Sequence, residues 1–183
     1  HSRVDADRGG DAGLERFARA ARDAGLGILV DIVPNHVGVG VPRQNPWWWD
    51  VLRLGRESRH AVAFDIDWAA GGGRVLVPIL GSPTHEVMAR GELTIDLAPS
   101  ADAPDGTLSY FDHVLPLAPG TAAAHAGDLR ALLDAQHYDL RFWEDQNTQL
   151  NYRRFFAVVE LAGVRVELPD VFAESHAEII RWI

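Results

Sequence analysis

Three polar side chains with different chemistry stand within six positions of one another in Asp31-Ile32-Val33-Pro34-Asn35-His36. A carboxylate, an amide and an imidazole set so close together can bind a polar substrate or orient the groups around it. The apolar residues Ile28, Leu29 and Val30 lead into them, Gly25 and Gly27 precede, and Pro34 has no N–H with which to continue a ladder. The pattern predicts a short strand over 28–33, buried on both faces, with Asn35 and His36 where it gives way to a loop. In open and closed α/β folds that edge carries sites. A carboxylate in such a strand must be paired or hydrogen-bonded. The same residues therefore also fit a structural role, a buried Asp31 satisfying loop amides beside a satisfied His36.

Two further stretches carry unusual side chains. Trp47, Trp48 and Trp49 follow Asn45-Pro46, and Pro46 suits the first position of a helix. Adjacent residues on a helix point in different directions, so the three cannot all be core. A ring face left open would suit a sugar or another flat apolar ligand, whereas the burial preference of tryptophan favours the core for any one of them. In Asn151-Tyr152-Arg153-Arg154-Phe155-Phe156, two arginines among aromatic neighbours suggest buried pairing with carboxylates. The bulky run Gln136-His137-Tyr138-Asp139-Leu140-Arg141-Phe142-Trp143 fits either the core or the lining of a site. Asp65, Asp67, Asp96 and Asp112 match no cation loop and read as solvated faces and turns.

The elements that position these groups follow from the rest of the chain. Its 183 residues, 47% hydrophobic and 23% charged, are globular in composition. A net charge of −9 argues against nucleic acid or an anionic membrane as partner, and the absence of cysteine excludes disulfides and thiolate metal sites. No run reaches the length of a membrane span and no signal-peptide pattern opens the chain, which makes the cytoplasm the default. Asp11 is the expected N-cap of a helix over 12–24, with Leu14, Phe17, Ala18 and Ala21 on one face and Gly25 as its stop. Helix, glycine turn and buried strand form the αβ half of a βαβ unit. Residues 64–117 read as a small antiparallel meander, with strands at 64–68, 74–80, 92–97 and 107–111 and a hairpin turn at Asp105-Gly106. Residues 116–127 read as loop. Asp128 caps a helix over 129–136, and Leu168-Pro169-Asp170 opens the last one. There is no internal repeat.

With these residues in view, Asp31-Ile32-Val33-Pro34-Asn35-His36 resembles the first conserved region of the α-amylase superfamily, glycoside hydrolase family 13. Arg3-Val4-Asp5 with Arg8-Gly9-Gly10, the stretch from Asn45 through the tryptophans to Leu52, and Leu150 to Phe156 resemble the maltooligosyl trehalose synthase family within it. Phe64-Asp65-Ile66-Asp67-Trp68 and Gln136-His137-Tyr138 lie between them in the expected order. The resemblance implies an incomplete α/β fold. It would be a partial (β/α)8 barrel segment, with barrel helix two and strand three over 1–36, a long mixed α+β inserted subdomain over 37–150 and a return to the barrel, with helix three, over 151–183. It further implies conversion of the reducing-end α-1,4 bond of a maltooligosaccharide into an α,α-1,1 bond, by retaining chemistry at two carboxyl groups in a pocket that keeps water out. Asp31 would be the supporting carboxylate and His36 a donor to a sugar hydroxyl. Asn35 would be structural, since this family is not expected to need the calcium bound at that position in other amylases. Trp47, Trp48, Trp49, Tyr138, Tyr152, Arg153 and Arg154 would face or frame the glucan. No cofactor and no metal are implied.

The resemblance also marks what is missing. The superfamily's nucleophile, in Arg-x-Asp on the fourth strand, its acid on the fifth and a further Asp on the seventh have no counterpart. Glu167, in Gly163-Val164-Arg165-Val166-Glu167, precedes the helix that should follow strand three and is not read as catalytic. A whole barrel takes about 250 residues. The missing initiator Met and unstopped final helix suggest a fragment, inactive alone, whose exposed half-barrel faces would favour a dimer. The alternatives are an amylase-type hydrolase or transglycosidase and a non-catalytic α-glucan-binding module.

Overall fold

The structure, a computed structural model, describes residues 3–182. Its helices are α1 (Gly10–Asp23), α2 (Pro46–Leu54), α3 (Thr84–Ala89), α4 (Thr121–Ala124), α5 (Leu129–Asp134) and α6 (Pro169–Trp182). Its strands are β1 (His36–Gly38), β2 (Val75–Leu80), β3 (Leu93–Asp96), β4 (Thr107–Tyr110), β5 (His113–Pro116), β6 (Tyr138–Phe142), β7 (Arg154–Phe155) and β8 (Val158–Gly163). The fold is mixed α/β with small sheets, ordered β1-β8-β7, β2-β6 and β3-β4-β5. The chain divides into two units, one formed by the described residues up to Asn35 and from Arg165 onward, the other by His36–Val164.

In the first unit α1 starts two residues earlier than its acidic residue suggests. Gly9, at φ 103°, occupies the N-cap position, so Asp11 lies inside the first turn. There its carboxylate faces the positive end of the helix dipole and accepts from Arg181 Nη2 at 2.6 Å. The C-terminus closes as expected. Gly25 adopts φ 68°, its N–H donates to Arg22 O and Leu26 N–H donates to Ala21 O, the paired bonds of a Schellman motif. In α6, Val171, His176 and Ile179 are buried, and the His176 ring stacks on Phe172 at 4.0 Å.

The strand expected at 28–33 is not formed. The segment has no regular structure, Asp31 and Val33 are exposed, and Leu29 is 96% exposed. A strand buried on both faces needs a ladder partner and apolar cover, and none of the described residues pairs with this segment.

The second unit holds all three sheets. The meander expected over 64–117 is confined to β3, β4 and β5, which pair antiparallel. β2 instead pairs parallel with β6, in the register Val75 with Tyr138 and Val77 with Leu140. Nearly every β2 residue is buried, so its apolar run seeks cover on both faces rather than a half-solvated hairpin. Asp105-Gly106 is not a two-residue hairpin turn: Gly106 ends the connection leading to β4, at φ 93°, where a Cβ would lie 2.3 Å from Asp96 O. The tight turn is Phe111-Asp112, with Phe111 at φ 49°. The Ala/Pro/Gly-rich segment contains the short helix α4, and the Asp128 side chain caps α5 by accepting from Ala131 N–H at 2.9 Å. Trp48, Leu52, Val75, Leu80, Leu108, Leu115 and Tyr138 form the heart of this core.

Candidate functional site: an apolar cleft in the second unit

A cleft of about 280 Å³ opens in the second unit, with apolar walls from β2, β5 and β8 and with Trp48, Trp143, Tyr152, His113, Gln146 and Glu160 at its lining. Trp48 comes from the first turn of α2. Asn45 begins that helix by accepting from Trp48 N–H at 3.2 Å, and its own amide donates to Gly38 O at 3.0 Å, so one side chain ties the helix start to β1. The Trp48 ring meets Phe64 and Tyr152 edge-on, at 4.9 and 5.1 Å between centroids. Tyr152 donates its hydroxyl to Val159 O at 2.7 Å. Burial pushes the Tyr152 phenol far above its usual range, and Glu160 adds to this while Arg154 opposes it. The group therefore remains a neutral donor at any physiological pH.

The short 3-10 helix Trp143–Asn147 that follows β6 contributes Trp143 and Gln146 to the lining. Trp143 is 49% exposed, an indole in contact with both protein and solvent. Arg154 holds this turn in place. Its guanidinium donates to Gln146 O at 3.2 Å and to Asn147 Oδ1 at 2.9 Å. At the rim, Val39 N–H donates to Glu160 O at 2.7 Å. Gly40 passes so near that a Cβ would lie 3.0 Å from Glu160 Cγ. Aromatic faces with an amide, an imidazole and one carboxylate are the groups that hold a polyhydroxylated, partly apolar ligand such as a sugar. Retaining glycosidic chemistry needs two carboxyl groups about 5–5.5 Å apart, and among the described residues Glu160 is the one carboxylate at this lining. The cleft has the chemistry of a binding wall.

The sequence-derived site residues distribute unevenly around it. Trp48 and Tyr152 line the cleft. Trp47 is half-buried and stacks on His60 at 5.0 Å. Trp49 is buried, donates its indole N–H to Asp102 O at 2.7 Å and lies beneath the Arg43 guanidinium. Arg43 in turn forms a bidentate pair with Asp102, which holds the Asp102 carboxyl well below its usual range. Tyr138 is 1% exposed and belongs to the core, where burial pushes its phenol up. His36 is half-buried on β1 with its ring stacked on Phe155 at 4.0 Å. Asp31 and Asn35 are exposed residues of the first unit. The buried arginine–carboxylate pairing expected at 153–154 does not occur. Arg153 approaches Asp65 at 3.5 Å with both side chains more than half exposed, and Arg154 takes carbonyl partners.

Trp143, His113, Gln146 and Glu160 were not singled out as site residues from the sequence. Only Trp143 carried a signal, as the end of a bulky run. Among the described residues no three His, Asp or Glu are grouped to hold a metal ion, and no helix is long and apolar enough to cross a membrane.

No family model matches the chain. It is 46% identical over 181 residues to a Mycobacterium tuberculosis protein provisionally assigned as a maltooligosyl trehalose synthase, covering 98% of this chain and 21% of that protein. The structure of maltooligosyltrehalose synthase from Arthrobacter ramosus superposes with a TM-score of 0.87 at 50% identity, over 100% of this chain and 22% of the other. That of a hypothetical maltooligosyl trehalose synthase from Sulfolobus tokodaii gives 0.79 at 34% identity, over 98% and 23%. The chain thus spans about a fifth of the length of the proteins it matches.

Proposed function

We propose that this chain, homologous over nearly its whole length to one segment of the maltooligosyl trehalose synthases, is the glucan-holding part of such an enzyme. The whole protein would convert the reducing-end α-1,4 bond of a maltooligosaccharide into an α,α-1,1 bond. The observation that carries this reading is the end-to-end correspondence with that segment, in sequence and in fold. The cleft supports it, because an enzyme that must release a glucose unit, turn it over and rejoin it needs a wall that grips sugar and excludes water.

In this reading the barrel's remaining strands supply the nucleophile and the acid, and this segment supplies neither. Residues 28–33 become the third barrel strand once neighbours flank them. That placement buries the exposed Ile28, Leu29 and Val33 and brings Asp31 and His36 to the strand's carboxyl edge. Residues 37–150 are the inserted subdomain and 151–183 the return to the barrel. In the absence of those neighbours the apolar residues of this segment would favour self-association.

A second reading, a glucan-binding module without chemistry, draws on the single carboxylate at the cleft. Incubating the full-length protein with maltopentaose separates the two. A product of unchanged mass that has lost its reducing end is the expected result. Maltose and maltotriose instead would indicate a hydrolase, and unchanged substrate that binds the protein would leave the module.

A further inference from the structure

A second pocket, on the edge of the parallel sheet, belongs to neither the cleft nor any residue discussed as glucan-facing except the buried Tyr138. It encloses about 220 Å³ and is lined by the four consecutive β6 residues 138–141, by Arg74 ahead of β2, by Thr84 at the start of α3, and by Arg130, Leu133 and Asp134 of α5. Among the described residues β6 pairs with β2 alone, so its other edge carries no strand. Val75 N–H donates to His137 O, which turns residues 137, 139 and 141 toward β2. Alternation along the ladder then turns the backbone of Tyr138 and Leu140 outward, and the Leu140 carbonyl accordingly accepts from Thr84 Oγ1 at 2.9 Å.

The charges at this edge do not balance. Three guanidinium groups line the pocket against two carboxylates. Arg74 and Arg141 converge on the single carboxylate of Asp139, at 3.3 and 2.7 Å. Arg130 pairs with Asp134 at 3.0 Å. Arg141 spends its other terminal nitrogen on Gln149 Oε1 at 3.2 Å, and its buried Nε has no partner among the described residues. A buried donor left unpaired is destabilising and calls for an acceptor. The surplus is one positive charge and at least one free donor, beside backbone amides on an open sheet edge, a geometry suited to anions.

We propose that this pocket binds a phosphate-type oxyanion, held by Arg74 and Arg141 across Asp139 with Arg130 at the rim. Planar guanidinium groups match tetrahedral oxyanions through paired N–H donors, and a small enclosed volume admits one such group. The ligand is either free phosphate or the phosphate of a monoester, and this assignment does not depend on the proposed reaction at the cleft.

The test uses the full-length protein that carries this segment, titrated calorimetrically at low ionic strength with inorganic phosphate, glucose 6-phosphate and glucose. Saturable binding of phosphate, weakened about tenfold in Arg141→Gln and in Arg74→Gln, is expected. Tighter binding of glucose 6-phosphate than of phosphate identifies a monoester as the ligand, and equal binding identifies the free anion. Protection of Arg74 and Arg141 from phenylglyoxal by phosphate, measured on the unsubstituted protein, is expected whether or not the variants fold. Binding of glucose but not phosphate, no saturable binding, or absence of that protection overturns the proposal.

Discussion

Trp143 contributes something that Trp48 and Trp49 do not, although all three carry the same side chain. Trp48 is enclosed by Phe64 and Tyr152, and Trp49 is fixed by its bond to Asp102. Trp143 is half exposed and lines the cleft. A stacked sugar ring on such a face is worth about 1 kcal/mol beyond area burial. In the full-length protein, Trp143→Ala is expected to raise the KM for maltopentaose roughly five- to tenfold. Steady-state kinetics beside a thermal melt check this: KM should rise while Tm moves little, because an exposed ring supports little of the core. A fall in Tm with unchanged KM would place Trp143 in the fold and not at the ligand.

At the scale of elements, one side chain joins segments that the sequence keeps far apart. Asn151 is buried; its Oδ1 accepts from Leu76 N–H at 2.8 Å, and its Nδ2 donates to Asp67 O and Arg74 O, each at 2.9 Å. It therefore satisfies the outer edge of β2, the edge away from β6, and anchors the turn at 67–74. Gly71 is part of the same knot, since a Cβ there would lie 2.0 Å from Arg74 O and 2.3 Å from Asn151 Nδ2. Asn151→Ala leaves the buried Leu76 N–H and the half-buried Arg74 carbonyl without a partner, while Asp67 O keeps Gly71 N–H, and is expected to destabilise by about 2 kcal/mol. Asn151→Asp restores only the bond to Leu76 and should recover only a fraction of that loss. Urea unfolding of the three proteins measures the ladder.

At the scale of the whole molecule, acid should weaken the fold through a histidine. His137 is half-buried, and burial pulls its imidazole below the ordinary value of 6.5, with Glu57 opposing. It packs against Gly55 at the end of α2, where a Cβ would meet His137 Nδ1 at 2.7 Å. The folded state holds the neutral ring, so as pH falls through about 6.5 the unfolded chain takes up the proton first. Stability is complete above that pH and declines below it, until the folded state is protonated too. Thermal melts of the full-length protein between pH 8 and 5 should show this decline, and His137→Asn should flatten it. All other titrating groups are common to both proteins, so their difference isolates the one ring.

Local rules were sufficient wherever the deciding contact lay within about one helical turn. Gly25 ending α1, Asn45-Pro46 opening α2 and Asp128 capping α5 were all legible, since each cap bonds a residue at most four or five positions away. Only the tertiary structure decided which of the two cleft tryptophans meets solvent. Burial is set by what lies across from a ring, here Tyr152 and Phe64 for Trp48 and solvent for Trp143. Only tertiary structure could pair β2 with β6 rather than with its nearest neighbours, because a parallel partner arrives through a long crossover that leaves no local trace. The same reason separates the motif at 31–36 from a finished strand. A strand buried on both faces needs neighbours to bond to, and none of the described residues pairs with 28–33.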